Sequence, residues 1–188
     1  GEYDEQPAIL SIKQGAGGVE AQDWVQILLR MYLRWAEARG FKASVLESTP
    51  GDEAGLKSAT AQIDGRFGYG YLKSERGTHR LVRLSPFDAD HMRHTTFALV
   101  EVLPQTEEQD TNIEIDPDDL RIDTFRAGGH GGQNVQKNDT AVRITHLPTN
   151  TVVSVQNERS QLQNRAVAMR ILTARLLDIQ MQEAEAAR

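Results

Sequence analysis

The apolar positions of the chain change period along its length. Ala8–Lys13 is a short apolar run and predicts a strand. Gly15–Gly18 then makes a turn. Trp24, Leu28, Met31 and Trp35 recur at spacings of four, three and four, so Val19–Arg39 is expected to be a helix with one apolar stripe, stopped by Gly40. Phe41–Glu47 reads as a strand. Ser58–Ile63 and Arg66–Lys73 flank Asp64-Gly65, the sequence of a two-residue hairpin. In the second of these, Phe67, Tyr69 and Tyr71 alternate with Gly68 and Gly70, predicting a strand with one aromatic face. Thr95–Leu103 is a further strand.

After Pro104 the pattern becomes polar. Pro104–Asp119 contains Gln-Thr-Glu-Glu-Gln-Asp-Thr and Pro117, and reads as a linker. Beyond it, Ala141–Leu147 and Thr151–Gln156 are strands joined by Pro148-Thr149-Asn150. Ser160 and Gln163 have the spacing of a capping box, so a long helix is expected from about Gln161. No stop signal follows it, as expected of a chain cut from a longer one. The whole predicts an α+β protein of two domains, residues 1–110 and 111–188, each a small mixed or antiparallel sheet packed with helices.

Composition narrows the chemistry. The 188 residues include no cysteine, which excludes disulfides, a thiol nucleophile and thiolate-bound metals. No apolar run reaches the ~18 residues of a membrane span. The net charge is −6. Taken alone, that total speaks against a nucleic-acid partner, but its distribution does not. Residues 65–100 carry +3 and residues 124–175 carry +5, on either side of −8 over residues 101–123. Screening confines phosphate attraction to ~8–10 Å, so two local basic faces can bind RNA on an acidic chain.

Four segments could carry chemistry. Gly15-Ala16-Gly17-Gly18-Val19-Glu20 resembles a dinucleotide fingerprint, but Glu20 stands at the third glycine position, where helix packing and a pyrophosphate disfavour a carboxylate. It reads as a structural turn. Asp88, Asp90, His91 and His94 could hold a metal, but their order matches no metal-site spacing, and no metal or cofactor is expected. Arg83, Ser85, Pro86, Phe87, Arg93 and Thr95 in the same stretch combine hydrogen-bonding groups, an aromatic ring and arginines beside a proline, a composition suited to single-stranded RNA. Finally, Gly128-Gly129-His130-Gly131-Gly132-Gln133 places four glycines in five positions before an amide. Such a backbone can approach another molecule closely. Its N–H groups could stabilise an oxyanion or alkoxide and its amide could hold water, but none of these is a strong general base.

Arg126–Val142, built around Gly-Gly-Gln, resembles the signature of bacterial peptide chain release factors. Ser85-Pro86-Phe87 resembles the stop-codon tripeptide of the branch that reads UGA and UAA. Gly77-Thr78-His79-Arg80-Leu81-Val82-Arg83 resembles the helix that precedes it. Gly18–Trp24 and Arg30–Glu37 also match the family. The resemblance implies a termination factor that reads a stop codon with its first domain and promotes hydrolysis of the peptidyl-tRNA ester with its second.

The resemblance also implies roles for single residues. Glu75 and Gly77, at a helix tip, would hold the first uridine. Ser85 would bond the second purine, since a hydroxyl donates or accepts. Pro86 and Phe87 would shape that loop, His94 would stack on the second base and Thr95 would contact the third. Gly131, Gly132 and Gln133 would be catalytic, through the Gln133 N–H and a side chain that places water. Gln133 would also be the target of a glutamine methyltransferase. The implied partners are the ribosome, through rRNA, the mRNA stop codon and P-site peptidyl-tRNA, and a recycling GTPase. The implied location is the cytoplasm, with no membrane. Gly128 replaces a common serine, His130 a small residue, Gln136 an asparagine, and Asp90-His91-Met92 a segment richer in glycine and arginine. Two other functions share these features: a codon-independent ribosome-rescue hydrolase and a non-catalytic RNA-binding regulator.

Overall fold

The computed structural model describes residues 1–106, 113–126 and 139–187. The chain forms two compact units, Gly1–Val102 and Leu103–Arg188. In the first, the strands are β1 (Ala8–Gln14), β2 (Lys42–Pro50), β3 (Leu56–Asp64), β4 (Gly77–Leu84) and β5 (Arg93–Pro104), and they make one sheet in the order β2-β3-β1-β5-β4. Helix α1 (Val19–Ala38) packs against β1, β2 and β3. The central strand is apolar on both faces, and Ile9, Leu10 and Ile12 are all buried.

Helix α1 forms where its period predicts, but the face it buries is turned from the predicted stripe. Ala21, Val25, Leu28, Leu29, Tyr32 and Ala36 face the sheet, whereas Met31 is 46% exposed. Small residues allow the helix axis close to the strands. The two tryptophans splay to its flank: the Trp24 indole donates to the His79 carbonyl at 3.0 Å, and Trp35 packs edge-on against Phe41 and Tyr71.

The Asp64-Gly65 hairpin does not form. Both edges of β3 are already taken, by β1 and by β2 in antiparallel register, so residues 66–73 have no strand to join. The chain turns at Phe67, with φ of 67°, into the short helix α2 (Gly68–Leu72) and a single 3-10 turn, Lys73–Glu75. Gly77–Arg83 is likewise not a helix. Thr78, Arg80, Val82 and Leu84 point to solvent while His79, Leu81 and Arg83 are half-buried, the two-residue period of β4.

The second unit is an antiparallel meander of β6 (Leu120–Phe125), β7 (Ala141–His146) and β8 (Thr151–Val155), covered by α3 (Gln161–Ala186). Val142, Ile144, Val153 and Val155 meet Ala168, Ile171, Leu172 and Leu176 in its core. Ser160 accepts from the Gln163 N–H at 3.3 Å and caps α3, as its spacing predicts. Strand β6 lies outside the predicted elements, although Leu120, Ile122 and Thr124 alternate with polar or larger neighbours in the period of a strand. It opens from a 3-10 turn at Pro117–Asp119, where Asp116 accepts from the Asp118 N–H. Among the described residues no helix is long and apolar enough to cross a membrane.

Candidate functional site

The turn Gly15–Gly18 delivers the first residues of α1 to the end of the β4–β5 hairpin. The Gly15 N–H donates to the Phe97 carbonyl at 2.7 Å, and the Phe97 N–H and the Thr96 hydroxyl both donate to the Ala16 carbonyl. Gly17 has φ of +130°, and a Cβ there would collide with Thr96 Oγ1. Only glycine fits this approach.

Glu20, in the first turn of α1, is therefore held over the end of β4. One carboxylate oxygen accepts from Arg83 Nε. The other accepts from the Ser85 hydroxyl at 2.6 Å, and Arg83 Nη2 reaches Asp23 at 2.6 Å. Burial pushes the Glu20 carboxyl up, but the hydrogen bonds from Arg83 and Ser85 outweigh it and bring the net value below the usual carboxylate range. The Glu20 bond holds Arg83 above its own ordinary value. The turn that fails as a dinucleotide fingerprint thus has a different purpose. Its out-of-place Glu20 is the signal available in the sequence, but Asp23 and Arg83 can be grouped with it only in three dimensions.

Ser85 is 3% exposed. Its proton goes to Glu20 and its oxygen accepts from the Phe87 N–H at 3.2 Å, which narrows the free donor-or-acceptor role expected from sequence. The loop after it closes on itself, through Ser85 N–H to the Met92 carbonyl and His91 N–H to the Asp88 carbonyl. Pro86 and Phe87 stand exposed at its tip. His94 Nε2 lies 2.8 Å from Asp88 Oδ2. That contact, with the Asp90 N–H, holds the Asp88 carboxyl below its ordinary value. His94 and Thr95 are successive residues of β5 and so face opposite sides of the sheet.

Ser85, Pro86, Phe87, His94 and Thr95 are all near one end of the β4–β5 hairpin, with His94 and Thr95 on opposite faces of β5. Glu75 and Gly77 are not. Gly77 begins β4 opposite Val100, and Ser85 follows its far end, where Leu84 pairs with Arg93. Seven strand steps separate Gly77 from Leu84, roughly 23 Å. Glu75 instead accepts from the Tyr32 hydroxyl at 3.0 Å, and its carbonyl meets His79 Nε2. The side-chain partner of Ser85 is Glu20.

Gly131, Gly132 and Gln133 lie outside the described residues, as do Gly128, His130 and Gln136. Their flanks are described. Phe125 pairs with Ala141, and Arg126 Nε lies 3.7 Å from Asp139 Oδ1. Arg143, Arg159, Arg165 and Arg170 are exposed on β7, ahead of α3 and along it.

Comparison with known proteins accords with both units. A PCRF domain matches residues 1–100 and an RF-1 domain matches residues 107–188. Peptide chain release factor 2 of Thermomicrobium roseum is 63% identical over 183 residues, 97% of this chain and 49% of that protein. Peptide chain release factor 2 of Thermotoga maritima is 58% identical over 183 residues, again 97% of this chain and 49% of the relative. The solved structure of RF2 of Thermus thermophilus superposes with a TM-score of 0.89 at 48% identity, covering 98% of this chain and 52% of that one. The chain spans about half the length of these relatives. With a PCRF domain over its first hundred residues and an RF-1 domain over its last part, the chain belongs to the peptide chain release factor family.

Proposed function

We propose that this protein acts in translation termination, reading UGA and UAA with its first unit and promoting hydrolysis of the peptidyl-tRNA ester with its second. The observation that carries the reading is the Ser85–Thr95 hairpin end. Its exposed tip, Pro86-Phe87, projects from a buried base locked by Glu20 and Arg83. An exposed ring on a rigid support can be stacked against or excluded by a base at little entropic cost. His94 and Thr95, on opposite faces of β5, would meet different bases. The names of the relatives, peptide chain release factor 2, support the UGA and UAA assignment.

Gly131-Gly132-Gln133 would enter the peptidyl transferase centre. There the Gln133 N–H would stabilise the charge developing on the leaving ribose oxygen, and its side chain would hold the attacking water. The residues supply no strong base, so the ribosome and its tRNA would provide the remaining groups. Gln133 would be the substrate of a glutamine methyltransferase, and a GTPase would assist recycling in the cytoplasm. A codon-independent rescue hydrolase would have no use for the Glu20-locked hairpin.

The test is peptide release from ribosomes programmed with UGA, UAA, UAG or a sense codon, using a full-length factor that carries these 188 residues. Release at UGA and UAA alone is expected. Gly132→Ala should abolish it while stop-codon-dependent binding persists. Release at a sense codon, or parental release by Gly132→Ala, would contradict the reading.

A further inference from the structure

Asp88, Asp90, His91 and His94 stand close together in sequence, and the loop gathers them around one carboxylate, that of Asp88. Every polar group of Asp88 is engaged. Its N–H donates to the Ser85 carbonyl at 3.4 Å, and its carbonyl accepts from the His91 N–H at 3.0 Å. Oδ1 accepts from the Asp90 N–H at 2.9 Å, and Oδ2 lies 2.8 Å from His94 Nε2. The Met92 N–H also donates to the carboxylate. The Asp88 side chain is 24% exposed, in a loop whose Asp90, His91 and Met92 stand open to solvent. His91 keeps a φ of 49°, in the left-handed region that side chains disfavour, and its bond to the Asp88 carbonyl holds it there.

The consequence for His94 follows from the chemistry of the partner. A carboxylate accepts and does not donate, so the His94 nitrogen that faces it carries a proton. In the neutral ring Nδ1 is then the acceptor. The same bond fixes the plane of the imidazole, which is 44% exposed. A ring already held in one orientation loses little freedom when a base stacks on it.

We infer that Asp88 is a positioning residue for codon reading: it holds the His94 ring in the plane and tautomer in which it meets the stop codon. Asp88 acts through His94 and touches no base. The inference rests on the termination reading above, in which His94 meets a base.

The experiment measures peptide release at UGA and UAA as a function of factor concentration. It compares the full-length parent with Asp88→Asn, His94→Ala and the double variant. Asp88→Asn keeps an oxygen for the Asp90 N–H and sets an amide donor against His94 Nε2. Losing a hydrogen bond to a charged group should raise the half-saturating concentration about tenfold, with the saturating rate at its parental value. In the His94→Ala background the same substitution should add less than about twofold, because the two residues act as one unit. A merely structural role for Asp88 would raise half-saturation equally in both backgrounds. An equal rise in both, or no rise in the parent background, overturns the inference. A second measurement needs no substitution: nitrogen-15 NMR of the histidine-labelled parent, at a pH where the ring is neutral. A His94 proton on Nε2 is expected, and a proton on Nδ1 overturns the inference; this result decides the matter if Asp88→Asn does not fold. A parent that releases at no stop codon would remove the termination reading itself, and the role of Asp88 with it, whereas a releasing parent with an uncoupled pair removes the role of Asp88 alone.

Discussion

Ser85, at the end of β4, donates its hydroxyl to Glu20, in the first turn of α1, over 2.6 Å and 65 positions of sequence. Both side chains are buried, and the second oxygen of the same carboxylate accepts from Arg83. The base of the hairpin is thereby joined to the helix by charge-assisted bonds, while its tip, Phe87, is 42% exposed. The buried support and the exposed ring lie two residues apart.

This division predicts opposite outcomes for neighbouring substitutions. Ser85→Ala leaves a buried Glu20 oxygen without its donor and the Phe87 N–H without its acceptor, at a cost of about 1–3 kcal/mol. Phe87→Ala removes an exposed ring and should change stability by about 0.5 kcal/mol or less, while weakening discrimination of UGA from sense codons. Urea midpoints of the two variants check the first difference and peptide release checks the second. Equal midpoints would place Ser85 outside the scaffold.

The Glu20 carboxyl titrates below its ordinary value of 4.5 in the folded protein. A carboxyl with a depressed folded pKa contributes stability that is present above the unfolded value and lost as pH falls through the folded one. Stability should therefore decline below about pH 4.5 in part through this group. Glu20→Gln should be less stable than the parent at neutral pH and should show a shallower loss in acid. Denaturation midpoints between about pH 7 and pH 3 measure this, and parallel curves for the two proteins would exclude Glu20 as a contributor.

Gly17→Ala tests the approach of the α1 turn to β5. The added methyl meets Thr96 Oγ1, and the residue must keep a φ of +130°. The strain is about 1–3 kcal/mol. A second substitution, Thr96→Ser, does not relieve the clash with Oγ1, whereas Thr96→Ala should recover part of the loss. Thermal midpoints of the single and double variants separate the steric term from the backbone term.

The exposed arginines of the second unit should register in salt dependence. Replacing Arg159 and Arg165 with glutamine should make the plot of log affinity against log salt shallower by about 0.7–0.9 for each phosphate that is no longer neutralised. Ribosome-binding titrations between low and moderate salt give the slope. An unchanged slope would mean that neither side chain meets a phosphate.

Local order is legible wherever one physical signal suffices. The period of α1, the cap at Ser160 and the strand patterns of β1, β3, β5, β7 and β8 are properties of neighbouring residues, and these elements form where their patterns predict. The two basic segments and the Gly-Gly-Gln run can also be seen without a fold. Other features depend on what else is already paired. Asp64-Gly65 has hairpin chemistry, but β1 and β2 occupy both edges of β3 and convert the expected strand into α2. The face that α1 buries follows from how closely a helix can approach this sheet, which favours Ala21, Val25 and Ala36 over its tryptophans. The site depends on the fold most of all. Gly77 and Ser85 are close in sequence, and an extended strand drives them apart. Glu20 and Ser85 are distant in sequence, and the close glycine turn before α1 brings them into contact. Sequence alone determined which residues could carry the chemistry. Tertiary structure decided which of them share a surface, because distance in space is set by strand register and helix packing rather than by separation along the chain.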